Sequence, residues 1–276
     1  MHEHIAYFFV YHGSRDTRSA LSAQRLAQRI VQALTVSQVS PSKNGDKDTA
    51  FAHPDNIVFR VGALELATTP LHEQIAEFGH HIARRGMTVM AVLPLFLLAG
   101  AHVRDDVPEA VALAQQMLGS SVQLVLRSHV GNHPRIADWL DNQLPTTQNP
   151  TIQTMRIFVS HGSKKIGGNQ VTEAIAHQLG AITAYWSLSP SLEQCLDDLS
   201  AEFKTGAPQS ITIIPYFLFS GKITDAIAHV VEQYRHQYST VHFHVASPIG
   251  ESDSIIPLFA EWVADPPNLG INTVLA

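Results

Sequence analysis

The sequence predicts an α/β protein with two tandem domains, each a parallel sheet of about four strands flanked by helices. Three observations lead to this prediction. The chain has 276 residues, which suits two domains of ordinary size. Short apolar runs alternate with longer segments of helical period, as in βαβ units. Motifs of the first half recur in the same order in the second half. We therefore expect an internal duplication, with domains at residues 1–145 and 152–276.

The first half contains short apolar runs and amphipathic segments in alternation. Strands of a parallel sheet have near-continuous apolar runs, because helices cover both faces of the sheet. The second amphipathic segment has a clear helical period, with Leu71, Ile75, Phe78 and Ile82 on one stripe. We predict strands at 6–11, 57–63, 88–97 and 121–126, and helices at 17–34, 70–85, 105–118 and 133–144.

The second half repeats this plan. The motif that begins at His12 recurs at His161, and the apolar segment 94–100 recurs at 215–221. The two halves differ mainly by an insertion at 36–54, to which we assign no function. We predict strands of the second half at 156–160, 182–188, 210–218 and 241–246.

Composition excludes several kinds of site and partner. Because Cys195 is the single cysteine, an internal disulfide, a thiolate zinc cage and a cysteine-bound iron–sulfur cluster are excluded within this chain. The 18 Lys and Arg against 24 Asp and Glu give a formal net charge of −6 without a long basic run, so we expect no nucleic-acid partner. No apolar run suits a membrane helix, and the first residues lack the basic region of a secretory signal. We expect a cytoplasmic protein without a membrane partner.

Three side chains that can bind metal follow predicted strands of the first half: His12, Glu65 and His102. A single strand-end histidine is more often a hydrogen-bonded loop residue than a ligand. The carboxyl ends of parallel strands, however, meet at one edge of the sheet, where ligands of such sheets bind. Two imidazoles and a carboxylate suit a borderline divalent metal such as Co²⁺ or Fe²⁺. The apolar segment 96–101 beside them suits a flat organic partner.

The second half provides an internal comparison for these donors. His161 matches His12, whereas the repeat places Tyr185 opposite Glu65 and Ile223 opposite His102. The second half thus keeps one donor of the three. We expect the first half to carry the chemistry and the second to act as a structural or substrate-covering partner.

Three segments carry a resemblance to a known family. They are 12–16 (HGSRD), 64–67 (LELA) and 94–104 (PLFLLAGAHVR). In this order and at these spacings they resemble the sirohydrochlorin chelatases of the CbiX/SirB family, also called class II chelatases. An active first half followed by a degenerate second half is similar to the long, two-domain members. The resemblance covers almost the whole chain.

The resemblance implies a lyase-type metal insertion into the tetrapyrrole sirohydrochlorin, in cobalamin biosynthesis with cobalt or in sirohaem biosynthesis with iron. The divalent metal is then a substrate, Co²⁺ or Fe²⁺ with Ni²⁺ left open, and no cofactor is permanently bound. His12, Glu65 and His102 would bind the metal and assist removal of the pyrrole protons. The implied partners are sirohydrochlorin and the metal, and we expect a monomer whose halves form a pseudo-dimer. The residues expected to contact the macrocycle are Ser14, Arg15, Leu97, Leu98, Ala99, Gly100 and Arg104.

Three other functions compete with this interpretation. A histidine phosphatase would need an arginine directly before the strand-end histidine, and this chain has Tyr11 there. A tetrapyrrole or metal carrier would use the same donors and differ only in lacking turnover. A protohaem ferrochelatase is a more closely related function, and it differs in its substrate, a ring with far fewer carboxylates. The sequence leaves the choice between cobalt and iron open, since both metals accept nitrogen and oxygen donors.

Overall fold

A computed structural model describes residues 6–37, 57–145, 153–203 and 209–264 of the chain. It contains two four-stranded parallel sheets flanked by helices, which confirms the predicted fold class. Most of the insertion predicted at 36–54 lies outside the described residues. Among the described residues, no helix combines the length and apolar character needed to cross a membrane.

The first sheet has the strand order β2 (Val58–Ala63), β1 (Ala6–Tyr11), β3 (Val89–Pro94), β4 (Gln123–Leu126), so β1 is central and pairs in parallel with β2 and β3. The side chains of Phe8, Phe9 and Val10 in β1 are fully buried, because helices cover both faces of the sheet. The elements in chain order are β1 (Ala6–Tyr11), α1 (Thr17–Ser37), β2 (Val58–Ala63), α2 (Leu71–Ala83), β3 (Val89–Pro94), a π-helical turn (His102–Asp106), α3 (Val107–Leu118), β4 (Gln123–Leu126) and α4 (Ile136–Gln143).

The second sheet repeats the same topology, with the order β6 (Ile182–Tyr185), β5 (Gln153–Ser160), β7 (Gln209–Pro215), β8 (Val241–Val245). Its central strand β5 is parallel to both neighbours, as β1 is in the first sheet. The elements are β5 (Gln153–Ser160), α5 (Gln170–Gln178), β6 (Ile182–Tyr185), α6 (Leu192–Phe203), β7 (Gln209–Pro215), α7 (Lys222–Gln237), β8 (Val241–Val245) and α8 (Ile256–Ala264).

Each sheet has a hydrophobic core between one of its faces and the helices packed on that face. In the first sheet, Phe8 and Met90 pack with Ile75 and Ile82 of α2 and with Ala114 of α3. Burying each such large side chain stabilises the fold by about 1.5–3 kcal/mol. A similar cluster in the second sheet includes Ile157, Leu196 and Ile213. These cores hold the strands that end at the candidate site.

Three predicted strands are too long, and one of them is β7, which ends at Pro215 rather than at residue 218. β3 ends at Pro94 rather than at residue 97, and after Leu95 bonds to the Val10 carbonyl the chain turns through a bond from Gly100 N–H to Leu98 O. β6 ends at Tyr185 rather than at residue 188, because its only strand neighbour in the described sheet, β5, ends at Ser160. An apolar composition continued past these strand ends, but the ladder beyond them is reduced to a few loop hydrogen bonds, such as that from the Ser187 N–H to the His161 carbonyl.

The compact units of the structure differ from the domain boundaries predicted at 145 and 152. One unit contains the described residues up to His133 together with those from Asp253 onward, and the other contains Pro134–Ser252. Helix α4 therefore belongs to the second unit, where Asp141 pairs with Arg156 at 2.7 Å. A repeat in sequence does not specify on which core a terminal helix packs. The compact units therefore do not test the repeat boundary, which stays a prediction.

Helix α8 belongs to the first unit, although it follows the second sheet in sequence. Trp262 is 4% exposed, and its indole N–H donates a 3.0 Å hydrogen bond to the Ser128 carbonyl. Arg127 donates in return to the Trp262 carbonyl at 3.2 Å. Arg29 of α1 forms a 2.6 Å ion pair with Asp253 just before α8. The first core is therefore complete only with residues from the far end of the chain.

We predict that Trp262→Ala lowers the free energy of unfolding by about 3–5 kcal/mol, because it removes a buried ring and leaves the Ser128 carbonyl without its indole partner. Urea denaturation followed by circular dichroism measures the loss. Trp186→Ala is the matched control, since Trp186 is 44% exposed and its removal should cost less than about 1 kcal/mol. Equal losses in the two variants would contradict the packing of α8 described above.

Candidate functional site

Three predicted donors lie together at the carboxyl edge of the first sheet. His12 directly follows β1, Glu65 follows β2 after one residue, and His102 opens the π-helical turn after β3. Tyr11 at the end of β1 is in register with Ala63 of β2, and Val10 with Pro94 of β3. The three strands therefore end at one level, and their loops deliver the three side chains to one place.

Gly13 allows the first two loops to approach each other. Its φ is +94°, a left-handed conformation that favours glycine. A Cβ at this position would lie 2.0 Å from the Glu65 carbonyl oxygen. The Glu65 N–H donates to the His12 carbonyl at 2.9 Å, which continues the β1–β2 ladder by one step beyond the strands. Gly13 thus lets the backbone of the histidine loop lie against that of the carboxylate loop.

A second glycine supports the loop before His102. The Gly131 N–H donates to the Phe96 carbonyl at 2.9 Å, and a Cβ on Gly131 would lie 2.0 Å from the Leu97 carbonyl oxygen. This close backbone contact holds the segment between β3 and the π-helical turn. The position of His102 therefore depends on a loop after β4 as well as on β3.

The donor atoms are spaced as ligands of a single ion. The Nε2 atoms of His12 and His102 are 3.1 Å apart, and one donor atom from each of these histidines and Glu65 lie within 4.8 Å of one another. Two nitrogens bound at about 2.1 Å to a shared ion lie about 2.9–3.4 Å apart, depending on the coordination angle. Glu65 Oε1 is 3.9 Å from His102 Nε2, within reach of a small side-chain rotation.

The cluster is open to solvent. The side chains of His102 and Glu65 are 34% and 48% exposed, and His12 is exposed as well. Three protein ligands on an open edge leave coordination positions free for water or a second substrate, as in catalytic rather than structural metal sites. Among the residues that the structure describes, this is the one group of three such ligands that could hold a metal ion.

The predicted macrocycle-contact residues lie near His12 or His102 in the chain, and all but one of them are at least partly exposed. Arg15, Ala99, Gly100 and Arg104 are exposed, and Leu98 is half-buried. Ser14 is also exposed, and its hydroxyl accepts a 3.0 Å hydrogen bond from the Asp16 N–H. Leu97 is only 8% exposed because its side chain packs into the interior, so little of that side chain is available to a macrocycle.

Sequence reasoning missed one residue of the site, Asp106. Its Oδ2 lies 2.7 Å from Nδ1 of His102, the ring nitrogen on the far side from His12. A signal was present in the sequence, because residues four apart in a helical turn are neighbours. The predicted helix began at residue 105, so His102 stood outside it and the pairing went unnoticed.

The corresponding edge of the second sheet corrects one expected equivalence. His161 repeats the geometry of His12, with Nδ1 3.1 Å from the carbonyl of the following glycine. The residue whose N–H bonds to the His161 carbonyl, as Glu65 bonds to His12, is Ser187 and not Tyr185. Tyr185 lies in register with Ser160, as Ala63 does with Tyr11, so the repeat was misaligned by two residues here.

The second edge therefore lacks the carboxylate and the second imidazole. The Tyr185 hydroxyl donates a 2.9 Å hydrogen bond to Glu173, and burial together with this carboxylate raises the Tyr185 pKa to about 12. Tyr185 thus stays protonated near neutral pH and offers no phenolate ligand. A cavity of ≈ 340 Å³ in this unit is lined by Tyr185, Trp186 and Glu193 among others, and none of the residues that line it is a histidine.

Comparison with known proteins agrees with this duplicated architecture. The CbiX family model matches residues 6–147 and again residues 156–265. The chain belongs to the CbiX family. Each match contains one of the two strand-end histidines, His12 or His161, and the first match also contains Glu65 and His102.

Relatives of this CbiX family chain include two proteins from Priestia megaterium. A sirohydrochlorin ferrochelatase is 24% identical over 267 residues, which cover 94% of this chain and 89% of the relative. A sirohydrochlorin cobaltochelatase is 25% identical over 175 residues, covering 60% of this chain and 56% of the relative, so the chain matches only about half of that protein. The solved structure of SirB from Bacillus subtilis with Fe³⁺ has a TM-score of 0.66 at 20% identity and 94% coverage of both chains, which shows the common fold.

We predict that Gly13→Ala weakens Co²⁺ binding about 10–100-fold, because the new Cβ displaces the Glu65 backbone and separates the donors. Calorimetric titration of the full chain with Co²⁺ measures the change. Gly100→Ala is the control, since no atom lies within 4 Å of a Cβ placed there and its φ is not left-handed. If Gly13→Ala kept wild-type affinity, the cluster would not be the binding site.

Proposed function

We propose that this protein is a sirohydrochlorin chelatase that inserts Co²⁺ or Fe²⁺ into its macrocyclic substrate. The observation that carries the proposal is the meeting of His12, Glu65 and His102 at ion-ligand spacing on an open sheet edge. Membership of the CbiX family and the names of its relatives supply the substrate class. The metal is a substrate in this proposal, so the site must bind it and also release it.

The donor set suits both requirements. Imidazole and carboxylate bind borderline divalent metals without the strong retention of a thiolate cage. Water fills the remaining positions on the ion, and the nitrogens of the macrocycle replace these waters one after another. The protein ligands leave last, and the open edge permits the metal to move out of the protein into the ring.

Insertion also requires removal of protons. A divalent ion that enters a macrocycle replaces two pyrrole N–H protons, so charge balances when both protons pass to bases or water. His12, His102 and Glu65 are such bases, and they become free to accept protons as the metal leaves them. We propose that the same three residues therefore serve first as ligands and then as proton acceptors.

The proposal also assigns roles around the cluster. Exposed Arg15 and Arg104 would pair with carboxylates of the substrate, since a guanidinium can bind a carboxylate bidentately. Ser14, Leu98, Ala99 and Gly100 would line the ring. We propose that the first domain, residues 1–145 with α8 completing its core, is catalytic. The second domain, 152–276, is degenerate at its equivalent edge. It would take the place of a second subunit, so that the protein works as a monomer.

We predict that His102→Ala lowers the rate of metal insertion about 10²–10⁴-fold while the fold is retained, because the variant loses a ligand and a proton acceptor together. The measurement is anaerobic insertion of Co²⁺ and, separately, of Fe²⁺ into sirohydrochlorin, followed by macrocycle absorbance. His161→Ala is the matched control and should lose less than about threefold, since its edge lacks the other donors.

Two results would contradict the proposal. Equal losses in the His102 and His161 variants would mean that the chemistry is not confined to the first cluster. Stoichiometric binding of metal and macrocycle without turnover in the wild type would identify a carrier. The ratio of the Co²⁺ and Fe²⁺ rates distinguishes the two metals.

A further inference from the structure

We propose that Asp106 is a positioning residue that fixes the tautomer of His102. It holds the imidazole proton on Nδ1 and so leaves the Nε2 lone pair free for the metal. The tautomer assignment stands on the geometry alone, whereas its consequence for turnover rests on the function proposed above.

The first observation is the contact itself. Asp106 Oδ2 and His102 Nδ1 are 2.7 Å apart, the short distance of a charge-assisted hydrogen bond. A carboxylate only accepts hydrogen bonds, so this contact requires the proton to lie on Nδ1. In the neutral ring Nε2 is then the acceptor, and Nε2 is the atom that lies 3.1 Å from His12 Nε2.

The backbone is built to make this contact. His102 and Asp106 are the first and last residues of the π-helical turn, in which the Val107 N–H donates to the His102 carbonyl. Such turns are rare and occur often at functional sites. The turn is anchored by Val107, which is fully buried, while the His102 and Asp106 side chains remain about a third and a half exposed. The pair is therefore held at the surface by a fixed piece of helix.

His12 has an equivalent restraint from the backbone. Its Nδ1 lies 3.1 Å from the Gly13 carbonyl oxygen, which again accepts a proton and leaves Nε2 unprotonated. With both Nδ1 atoms donating, two Nε2 lone pairs face each other at 3.1 Å. Two facing lone pairs repel, so the contact is stable with a cation beside both atoms or, without one, with a proton on His12 Nε2 that makes it an N–H···N hydrogen bond accepted by His102 Nε2. The arrangement therefore favours occupation by a cation. Asp106 orients one of the two imidazoles, and the Gly13 carbonyl orients the other.

The second unit shows that the carboxylate accompanies the full donor set. Leu95 bonds to the carbonyl of Val10, and Tyr216 bonds in the same way to that of Val159, which aligns the two loops. The regular α-helix α7 lacks the extra residue of the π-helical turn, so buried Ile227 matches buried Val107, and Ala226 precedes it where Asp106 precedes Val107. His161 keeps its backbone carbonyl contact, but neither His102 nor Asp106 has a polar counterpart at the second edge. Asp106 thus belongs with the metal-binding edge and is not a general feature of the fold.

The direct test is long-range ¹H–¹⁵N NMR of the histidine rings in the metal-free full chain at about pH 8, where imidazoles are neutral. The His102 signals are assigned by their loss in His102→Gln. In the wild type we expect Nδ1 to be protonated and Nε2 to be unprotonated. Asp106→Ala should shift the His102 proton toward Nε2. Asp106→Asn, close in shape and still able to accept a hydrogen bond, should retain the wild-type tautomer.

The kinetic test uses the same variants. We expect Asp106→Ala to lower kcat for metal insertion about 10–100-fold with KM for sirohydrochlorin unchanged, and Asp106→Asn to recover part of the loss. Asp105→Asn is the matched control, because it removes the same charge from the adjacent exposed residue and should change neither readout.

The outcomes separate this inference from the proposed function. A wild-type His102 protonated on Nε2, or a tautomer unchanged in Asp106→Ala, overturns the role of Asp106 whatever the activity. A shifted tautomer with unchanged kcat overturns its importance for the reaction. If the wild type lacks turnover altogether, the chelatase proposal fails while the NMR result still decides the tautomer.

Discussion

The site depends on the central position of β1 in the first sheet. This strand pairs on one side with β2 and on the other with β3, and its buried residues Phe8, Phe9 and Val10 fix it within the core. The three strands therefore end together, and three short loops place a donor each at one point. Close backbone contacts at Gly13 and Gly131 then remove the freedom that loops of this length would otherwise have. The geometry of an open surface cluster is thus set by hydrophobic packing beneath it.

Duplication explains why the two sheets share one frame, although only the first carries the group of three potential metal ligands among the described residues. Both sheets have the same strand order, and both central strands lead into a histidine whose Nδ1 faces the next carbonyl. The first copy adds a carboxylate and a second imidazole, whereas the second copy has Ser187 and Ile223 at those places. The scaffold alone therefore does not create the site. The site requires the three donor side chains at the strand ends together with the Asp106 carboxylate that contacts His102.

The sequence was sufficient for the sheets and for the donors, because both follow from local pattern. Apolar runs located the strands, and the rule that parallel strands end at one edge brought His12, Glu65 and His102 together. Features that depend on three-dimensional partners were missed. An apolar residue such as Leu97 at the edge of a sheet can face either the core or a ligand, and only the structure shows that it is buried. The placement of α8 in the first unit and the pairing of Asp106 with His102 both depend on packing that a linear repeat does not encode.

The central claim is that three side chains of the first unit hold one metal ion. The most direct measurement is X-ray absorption spectroscopy of the full chain with one equivalent of Co²⁺, compared with a His12→Ala, His102→Ala double variant. The comparison matters because the chain has 16 histidines that could bind the metal elsewhere. We predict two imidazoles and additional oxygen donors at about 2.0–2.2 Å in the wild type, and loss of the imidazole signal in the variant. An identical spectrum in the variant would contradict the account.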